Sequence, residues 1–255
     1  MNAAQKVSRA DELLREASAA IEAELQHNAS TERGELNWRW WIAQKRLGEL
    51  QPFFSQAGQD WFLDRSVFDF KSGGVFVDIG GFDGFTNSNS LFFEVFRGWR
   101  GLLIEPAPQP YRMASSFRRC NCLQMAIGAE PGTAEFMHVT DGLTQMSGLV
   151  STYDAGVLKR VRMASEHREE IIEVEIQPLE ALLRAAGLSR VDYVSVDVEG
   201  SELDILQSFP FTEFDVTCWS IENAEHRQEI PALMEARGYD LIEYLGADEI
   251  YHRRS

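Results

Sequence analysis

The sequence is poor in cysteine and contains no long apolar run. Its three cysteines are too few for a disulfide framework, and the close pair Cys120 and Cys122 gives a structural zinc site little support. About 18 consecutive apolar residues occur nowhere, so we expect no membrane span. The first residues also lack the apolar core of a signal peptide. Together these absences predict a reduced, cytoplasmic protein.

Positive charge is also scarce, with 24 basic residues against 40 acidic ones and a formal net charge of -16. Proteins that bind nucleic acids gain affinity from lysine and arginine side chains that displace the counterions of phosphates. We therefore expect neither a nucleic acid nor an anionic membrane surface as a partner. A small molecule or a glycan that is neutral, zwitterionic or cationic fits this charge better.

The 255 residues suit one α/β domain with a modest appendage, and 44% of them are hydrophobic, which is enough for a core. Residues 1–50 contain no strand pattern. Apolar residues recur at helical spacing over 13–25, Gly34 is expected to interrupt the helix, and a second, tryptophan-rich helix follows. We expect 1–50 to be a helical extension of a main domain, 51–255. The extension either caps that domain or forms a homodimer contact, because its tryptophans make a large apolar face.

From about residue 51, short β-rich runs alternate with helical ones, which is typical of βαβ units. The pattern predicts an α/β fold with a Rossmann-like, doubly wound, mostly parallel seven-stranded sheet. The predicted strands are 75–79, 101–105, 122–127, 135–139, 171–176, 191–196 and 216–221, with a closing hairpin of 241–245 and 250–252. Helices are predicted at 179–186 and at about 229–237.

The first strand ends in a Gly-rich turn, Asp78-Ile-Gly-Gly-Phe-Asp-Gly84. Doubly wound sheets bind ligands outside the carboxyl ends of their strands, and Glu105, which closes the second strand, can accept both hydroxyls of a ribose. A dinucleotide fingerprint would have glycine where Phe82 stands, and Asp78 would repel a pyrophosphate. S-adenosylmethionine has no phosphate, and its ammonium and sulfonium groups are attracted by carboxylates. The turn therefore favours this cofactor over a nicotinamide dinucleotide.

Acidic residues also end the later strands. Asp197 and Glu199 are two positions apart and so share a face, Glu222 ends the next strand, and His226 follows within a turn. Converging carboxylates raise one another's pKa, which suits a general base. They could equally bind Mg2+. A metal-free site is favoured, since no histidine or further acid marks a dedicated cage. Alternatively, Glu199 caps a helix and His226 is a surface residue.

Two further segments are expected to reach the ligands. The loop 140–149 is rich in residues that bend or hydrogen-bond, and we interpret it as a lid whose Gln145 and Ser147 contact the acceptor. The segment 56–60 is expected to bring Gln56 to the methionine end of the cofactor.

These motifs occur in the order of a known family, and the chain resembles the FkbM-type methyltransferases, a branch of the class I S-adenosylmethionine-dependent enzymes. The matching stretches are 54–60, 77–84, 104–106, 126–128, 179–183 and 191–202. The most specific of them is Asp197-Val-Glu-Gly-Ser-Glu202, which follows a predicted strand. Members often carry lysine where this chain has Ser195, so no role of such a lysine is transferred.

The resemblance implies S-adenosylmethionine as cofactor, S-adenosylhomocysteine as product, and O-methylation of sugars, polysaccharide units or polyketide-type natural products. It also implies that Asp78, Gly80 and Glu105 contact the cofactor and that Ala126 lies near the adenine. With the residues singled out above, the expected cofactor-binding set is Gln56, Asp78, Gly80, Phe82, Gly84, Glu105, Ala126 and Asp197. N-methylation of a small amine, and a non-catalytic protein that only binds the cofactor, are the alternatives.

Overall fold

The computed structural model describes residues 1–153 and 155–254, and its strands belong to two sheets. In chain order, the strands are β1 (Val75–Ile79), β2 (Arg100–Ile104), β3 (Asn121–Leu123), β4 (Ala126–Ile127), β5 (Gly132–Asp141), β6 (Gly148–Leu149), β7 (Arg168–Gln177), β8 (Arg190–Val196), β9 (Asp215–Glu222), β10 (Tyr239–Leu245) and β11 (Asp248–Arg253). The helices are α1 (Ala3–Leu25), α2 (Glu32–Leu47), α3 (Gln59–Phe62), α4 (Leu91–Arg97), α5 (Pro108–Phe117), α6 (Ala155–Arg162), α7 (Leu179–Ala185), α8 (Glu202–Ser208) and α9 (Glu229–Ala236). A π-helical turn, Leu63–Val67, continues α3.

The main sheet has seven strands in the order β10-β11-β9-β8-β1-β2-β3. β1, β2, β3, β8 and β9 pair in parallel, whereas β11 runs antiparallel to both of its neighbours. The chain adds β2 and β3 on one side of β1, then returns to place β8 on the other side, and continues outward with β9. This order confirms the predicted doubly wound, mostly parallel seven-stranded sheet. It also places the point of reversal between β1 and β8, where such sheets bind ligands.

The central strands are apolar on both faces, as expected when helices cover both sides of a parallel sheet. In β1, Phe76, Val77 and Ile79 are almost completely buried, and β8 is buried from Val191 to Val196. Asp78 is the second-last residue of β1, and Asp197 directly follows β8. The core therefore fixes the position of the strand ends at which acidic side chains emerge.

A second, four-stranded sheet lies in the order β4-β7-β5-β6. It corrects one expectation, because the apolar run 122–127 is not a single strand. The chain bends at Gln124 and Met125, so β3 pairs with β2 in the main sheet, while Ala126 and Ile127 pair with β7. Apolar character alone did not reveal this bend, since both short strands are partly or fully buried.

The N-terminal helices also differ from expectation at Gly34. This glycine lies inside α2, and the break between α1 and α2 falls at residues 26–31. A Cβ at Gly34 would lie 2.2 Å from the carbonyl oxygen of Gly246, whose amide donates to Gly34 at 3.0 Å. Glycine therefore serves close packing of α2 on the β10–β11 turn. In addition, Trp41 is buried and donates its indole N–H to the carbonyl of Ser55 at 3.1 Å.

Helix α2 thus packs on the main domain of the same chain. Helix α1 packs on α2, and most residues of α1 are exposed. A homodimer contact through these helices stays a prediction. Within the described ranges, no helix combines the length and the apolar composition needed to cross a bilayer.

A buried guanidinium ties the Gly-rich turn to the helices that follow β1 and β2. The side chain of Arg118 is fully buried and forms an ion pair with Glu94 at 3.0 Å. It also donates to the carbonyl of Gly84 at 3.0 Å and to the hydroxyl of Ser90 at 2.9 Å. Ser90 in turn donates to the carboxylate of Asp78. The buried guanidinium of Arg118 therefore fixes the turn after β1, directly at Gly84 and through Ser90 at Asp78.

We expect Arg118→Met to lower the free energy of unfolding by about 3–5 kcal/mol, because it leaves the buried carboxylate of Glu94 without its partner. The neighbouring side chain of Arg119 is exposed, so Arg119→Met should change stability by less than about 0.5 kcal/mol. Urea denaturation of the two variants measures both values. A loss below about 1 kcal/mol for Arg118→Met would contradict a structural role for this ion pair.

Candidate active site

A cavity of about 210 Å³ opens at the carboxyl ends of β1, β2, β8 and β9. It lies at the point where the strand order reverses, as doubly wound sheets predict. The sequence-predicted residues that line it are Gln56, Asp78, Gly80, Phe82, Glu105, Ala126, Gln145, Ser147, Asp197, Glu199 and Glu222. Predicted residues from Gln56, before β1, to Glu222, at the end of β9, therefore line the same cavity.

Gly80 makes the turn after β1 fit against the end of β8. Its φ is +80°, and a Cβ there would lie 1.7 Å from the carbonyl oxygen of Asp197. The amide of Asp197 donates to the carbonyl of Ile79 at 3.0 Å. Any side chain at position 80 would separate the two strand ends. The glycine is thus required by the close approach of β1 and β8.

Asp78 is buried at the floor of the cavity. Burial raises the pKa of its carboxyl group, and the charge of Arg118 and the hydrogen bond from Ser90 oppose this shift. Because the carboxylate is held by a hydroxyl that Arg118 itself fixes, its orientation is set before any ligand binds.

Glu105 follows β2 and points back at the Gly-rich turn. One carboxylate oxygen accepts from the amide of Phe82 at 2.9 Å, and the other accepts from the amide of Ala107 at 2.7 Å. Burial raises the pKa of Glu105 to about 7, against the effect of these two hydrogen bonds. Each oxygen keeps a further lone pair with which it can accept a ligand hydroxyl.

Three carboxylates converge on the opposite side of the cavity. Asp197 and Glu199 follow β8, Glu222 ends β9, and one oxygen of each lies within 4.8 Å of the others. Glu199 is half-buried, and burial is the main cause that raises its pKa to about 8. Asp197 is open to the cavity, and the pKa of its carboxyl group is raised by the surrounding protein atoms and by the charges of Asp248 and Glu202. The charge of Asp197 is the main cause that raises the pKa of Glu222 well above its usual range. We call these three residues the acid trio.

Glu202 has a structural role beside the acid trio. It lies in the first turn of α8, and its carboxylate accepts from the amides of Val198 at 3.2 Å and Gly200 at 3.0 Å. The acid that holds this turn is therefore Glu202, whereas Glu199 points into the cavity. The interpretation of Glu199 as a helix cap is not supported by this geometry.

Two residues assigned to the site from sequence lie outside this cavity. Gly84 faces α5, since a Cβ there would lie 3.0 Å from the side chains of Ala114 and Arg118. His226 is exposed on a turn between β9 and α9 and does not line the cavity. Proximity in sequence to Gly80 and to Glu222 placed both residues in the predicted site, but the turns carry them away from it.

The loop between β5 and β6 covers one side of the cavity with Gln145 and Ser147. The Ser147 hydroxyl accepts from the amide of Val139 at 3.0 Å and donates to the carbonyl of Thr144 at 3.1 Å. Ser147 therefore fixes the loop, and Gln145 is the side chain better suited to contact a ligand.

Asp248 is an acidic lining residue that the sequence did not reveal. It stands opposite Glu222 in the pairing of β11 with β9, and Ser220 donates to it at 2.5 Å. Burial raises its pKa to about 6. The closing hairpin was predicted, but its partner strand and register were not, and only these bring Asp248 to the site. Among the described lining residues there is no lysine, arginine or histidine.

The chain is similar to methyltransferases. Residues 78–241 match the model of the methyltransferase FkbM domain. Methyltransferase sdnD from Sordaria araneosa is 28% identical over 169 residues, which are 55% of this chain and 64% of that protein. The chain therefore spans less than two thirds of that relative's length.

Two solved structures are similar at low identity. Methyltransferase FkbM from Methylobacillus flagellatus KT is 15% identical with a TM-score of 0.45, over 92% of this chain and 58% of that one. A TehB-like SAM-dependent methyltransferase from Corynebacterium glutamicum ATCC 13032 Kitasato is 9% identical with a TM-score of 0.41, over 88% of this chain and 100% of that one.

The raised pKa of Glu105 predicts that the ligand-free protein becomes more stable as the pH falls from about 8 to about 6. The folded state holds this proton more tightly than the unfolded state, whose value is near 4.5. The stabilisation is therefore complete below that value and is lost as the pH rises through about 7. Glu105 alone contributes about 1 kcal/mol over this interval.

Urea denaturation at several pH values measures this dependence. Glu105→Gln should reduce the gain in stability by about 1 kcal/mol, whereas Glu130→Gln, at an exposed position, should leave it unchanged. An identical pH dependence in the wild type and in Glu105→Gln would show that Glu105 titrates normally.

Proposed function

Since the chain belongs to the FkbM methyltransferase family, we propose that it transfers the methyl group of S-adenosylmethionine to a hydroxyl oxygen of a sugar, a glycoside or a polyketide-type product. The observation that carries this proposal is the carboxylate-lined cavity at the carboxyl ends of the parallel strands. The choice of cofactor and acceptor follows from the charge and hydrogen-bonding capacity of that cavity.

The cavity fits a nucleoside that carries positive rather than negative charge. Asp78 and Glu105 would repel a pyrophosphate, whereas they attract the ammonium and sulfonium groups of S-adenosylmethionine. The free lone pairs of Glu105 can accept the ribose hydroxyls. On the same side, apolar lining residues form a slot suited to adenine, and these are Ile104, Met125, Ala126, Ile127 and Phe136. The residues proposed to hold the cofactor are Gln56, Asp78, Gly80, Phe82, Glu105, Ala126 and Asp197.

When bound, S-adenosylmethionine supplies a methyl carbon that its sulfonium activates. The acid trio borders the remainder of the cavity, where an acceptor hydroxyl can donate a hydrogen bond to one carboxylate and is thereby oriented. Holding the acceptor oxygen in line at about 3–3.5 Å supplies much of the acceleration. As the oxygen–carbon bond forms, the carbon–sulfur bond breaks, its electron pair stays on sulfur, and the hydroxyl proton passes to the trio. His226 takes no part in this proposal, because it lies outside the cavity.

Calorimetric titration with S-adenosylhomocysteine, in the presence of a chelator, tests the cofactor. We expect micromolar binding that Asp78→Asn weakens about 10–100-fold, since the variant loses a hydrogen bond to a charged group. Asp204→Asn makes the same change at an exposed position of α8 and should bind like the wild type.

An absence of binding by the wild type would contradict the proposal, and nicotinamide nucleotides would then be titrated. If binding is found, transfer of a labelled methyl group to hydroxylated and to amine acceptors separates O-methylation from N-methylation. Binding without transfer to either class would instead favour a non-catalytic protein.

Gln145 is proposed to contact the acceptor from the loop between β5 and β6. We expect Gln145→Ala to raise the acceptor KM by about 3–10-fold through the loss of one hydrogen bond, while the affinity for S-adenosylhomocysteine changes less than about twofold. Gln228→Ala, which removes an exposed glutamine, is the matched control. Steady-state kinetics with unchanged KM in Gln145→Ala would remove this residue from the acceptor site.

A further inference from the structure

We propose that the acid trio, together with the hydroxyl of Ser201, binds one hard divalent cation, Mg2+ or Mn2+. Asp197, Glu199 and Glu222 each place one oxygen within 4.8 Å of the others. Oxygen atoms that share one octahedral Mg2+ lie about 3–4 Å apart. Small side-chain rotations therefore bring the trio onto a single ion, with positions left for water or for acceptor oxygens.

Ser201 gives an independent indication of a ligand at this place. Its side chain is only 3% exposed, and the residue lines the same cavity as the trio. It precedes α8 at the N-cap position but makes no capping hydrogen bond. Within the described part of the chain, its hydroxyl oxygen has no hydrogen-bond partner at all. A buried hydroxyl without a partner is costly, and coordination of a cation by its lone pairs would satisfy it.

The charges around the cavity point to the same conclusion. Six carboxylates line it, whereas its described lining residues include no lysine, arginine or histidine. These carboxylates belong to Asp78, Glu105, Asp197, Glu199, Glu222 and Asp248. A divalent cation at the trio would place positive charge where these carboxylates are closest together.

The donor set identifies the kind of ion. Carboxylate and hydroxyl oxygens suit Mg2+ and Mn2+, whereas zinc sites of proteins usually include histidine or cysteine. The sequence favoured a metal-free site because no additional ligand was apparent around Asp197 and Glu222. The structure adds a candidate ligand, because the unpartnered hydroxyl of Ser201 belongs to the lining of the same cavity.

The role of the ion, unlike its binding, rests on the proposed methyl transfer. An acceptor hydroxyl that coordinates the ion is held in position, and it loses its proton more readily as its oxygen attacks the methyl carbon. The second, non-coordinating oxygen of a trio carboxylate remains able to receive that proton.

Electron paramagnetic resonance of Mn2+ with the full chain, without cofactor or acceptor, tests the site. We expect one saturable site per chain that Mg2+ displaces. Glu199→Gln should weaken Mn2+ binding by at least about 10-fold, and Ser201→Ala should weaken it several-fold. Glu225→Gln removes the same charge from an exposed residue close by and should bind Mn2+ like the wild type.

Saturable binding that is missing up to about 1 mM Mn2+ would overturn the proposal. Equal affinity in the wild type and in Glu199→Gln would overturn it too, because the ion would then lie elsewhere. Thermal melting without metal checks that each variant folds, and Glu222→Gln replaces Glu199→Gln if the latter does not. Mn2+ should raise the Tm of the wild type and of Glu225→Gln, but not that of Glu199→Gln. Since cofactor binding is measured separately in chelator, failure of the metal site leaves the proposed methyl transfer intact.

Discussion

The buried guanidinium of Arg118 is the interaction on which the ligand-binding end of the sheet depends. It neutralises Glu94, holds the backbone of the Gly-rich turn at Gly84, and fixes the serine that orients Asp78. A buried ion pair of this kind contributes little net stability compared with apolar packing, but its geometry is specific. Arg118, which does not line the cavity, therefore sets the orientation of the Asp78 carboxylate, which we propose contacts the cofactor.

The carboxyl groups that line the cavity are unfavourable in their charged forms. Burial and mutual repulsion raise the pKa of the carboxyl groups of Glu105, Asp197 and Glu199 to about 7 or 8, so protons are retained there near neutral pH. Such a group of acids lowers the stability of the folded chain, since the charged forms are poorly solvated. Proteins usually retain costs of this kind where a ligand supplies the compensating charge. The acids at the strand ends therefore fit the ligand binding that we propose for this cavity better than a role in folding.

Signals that are local in sequence predicted most of the fold and most of the polar residues that line the cavity. The apolar runs around Asp78 and before Asp197 identified two central strands and the edge of the sheet at which the cavity opens. Pairings between distant segments were not visible, so Asp248 was missed although its hairpin was predicted. The direction of a turn was equally hidden, which is why His226 was assigned to a cavity that it does not reach. For the same reason, the run 122–127 gave no sign that its two halves join different sheets.

The contact between α2 and the β10–β11 turn joins residues made at very different times. Arg33 pairs with Glu243, which is 210 positions later, and Asn37 donates to the carbonyl of Tyr244. At a synthesis rate of about 5–20 residues per second, α2 leaves the ribosome at least about 10 s before the strand that receives it. Until then Arg33 and Asn37 lack these partners, whereas the hydrogen bond from Trp41 to Ser55 joins residues only 14 positions apart. Helix α2 therefore has its full set of native contacts only after β10 has been synthesised.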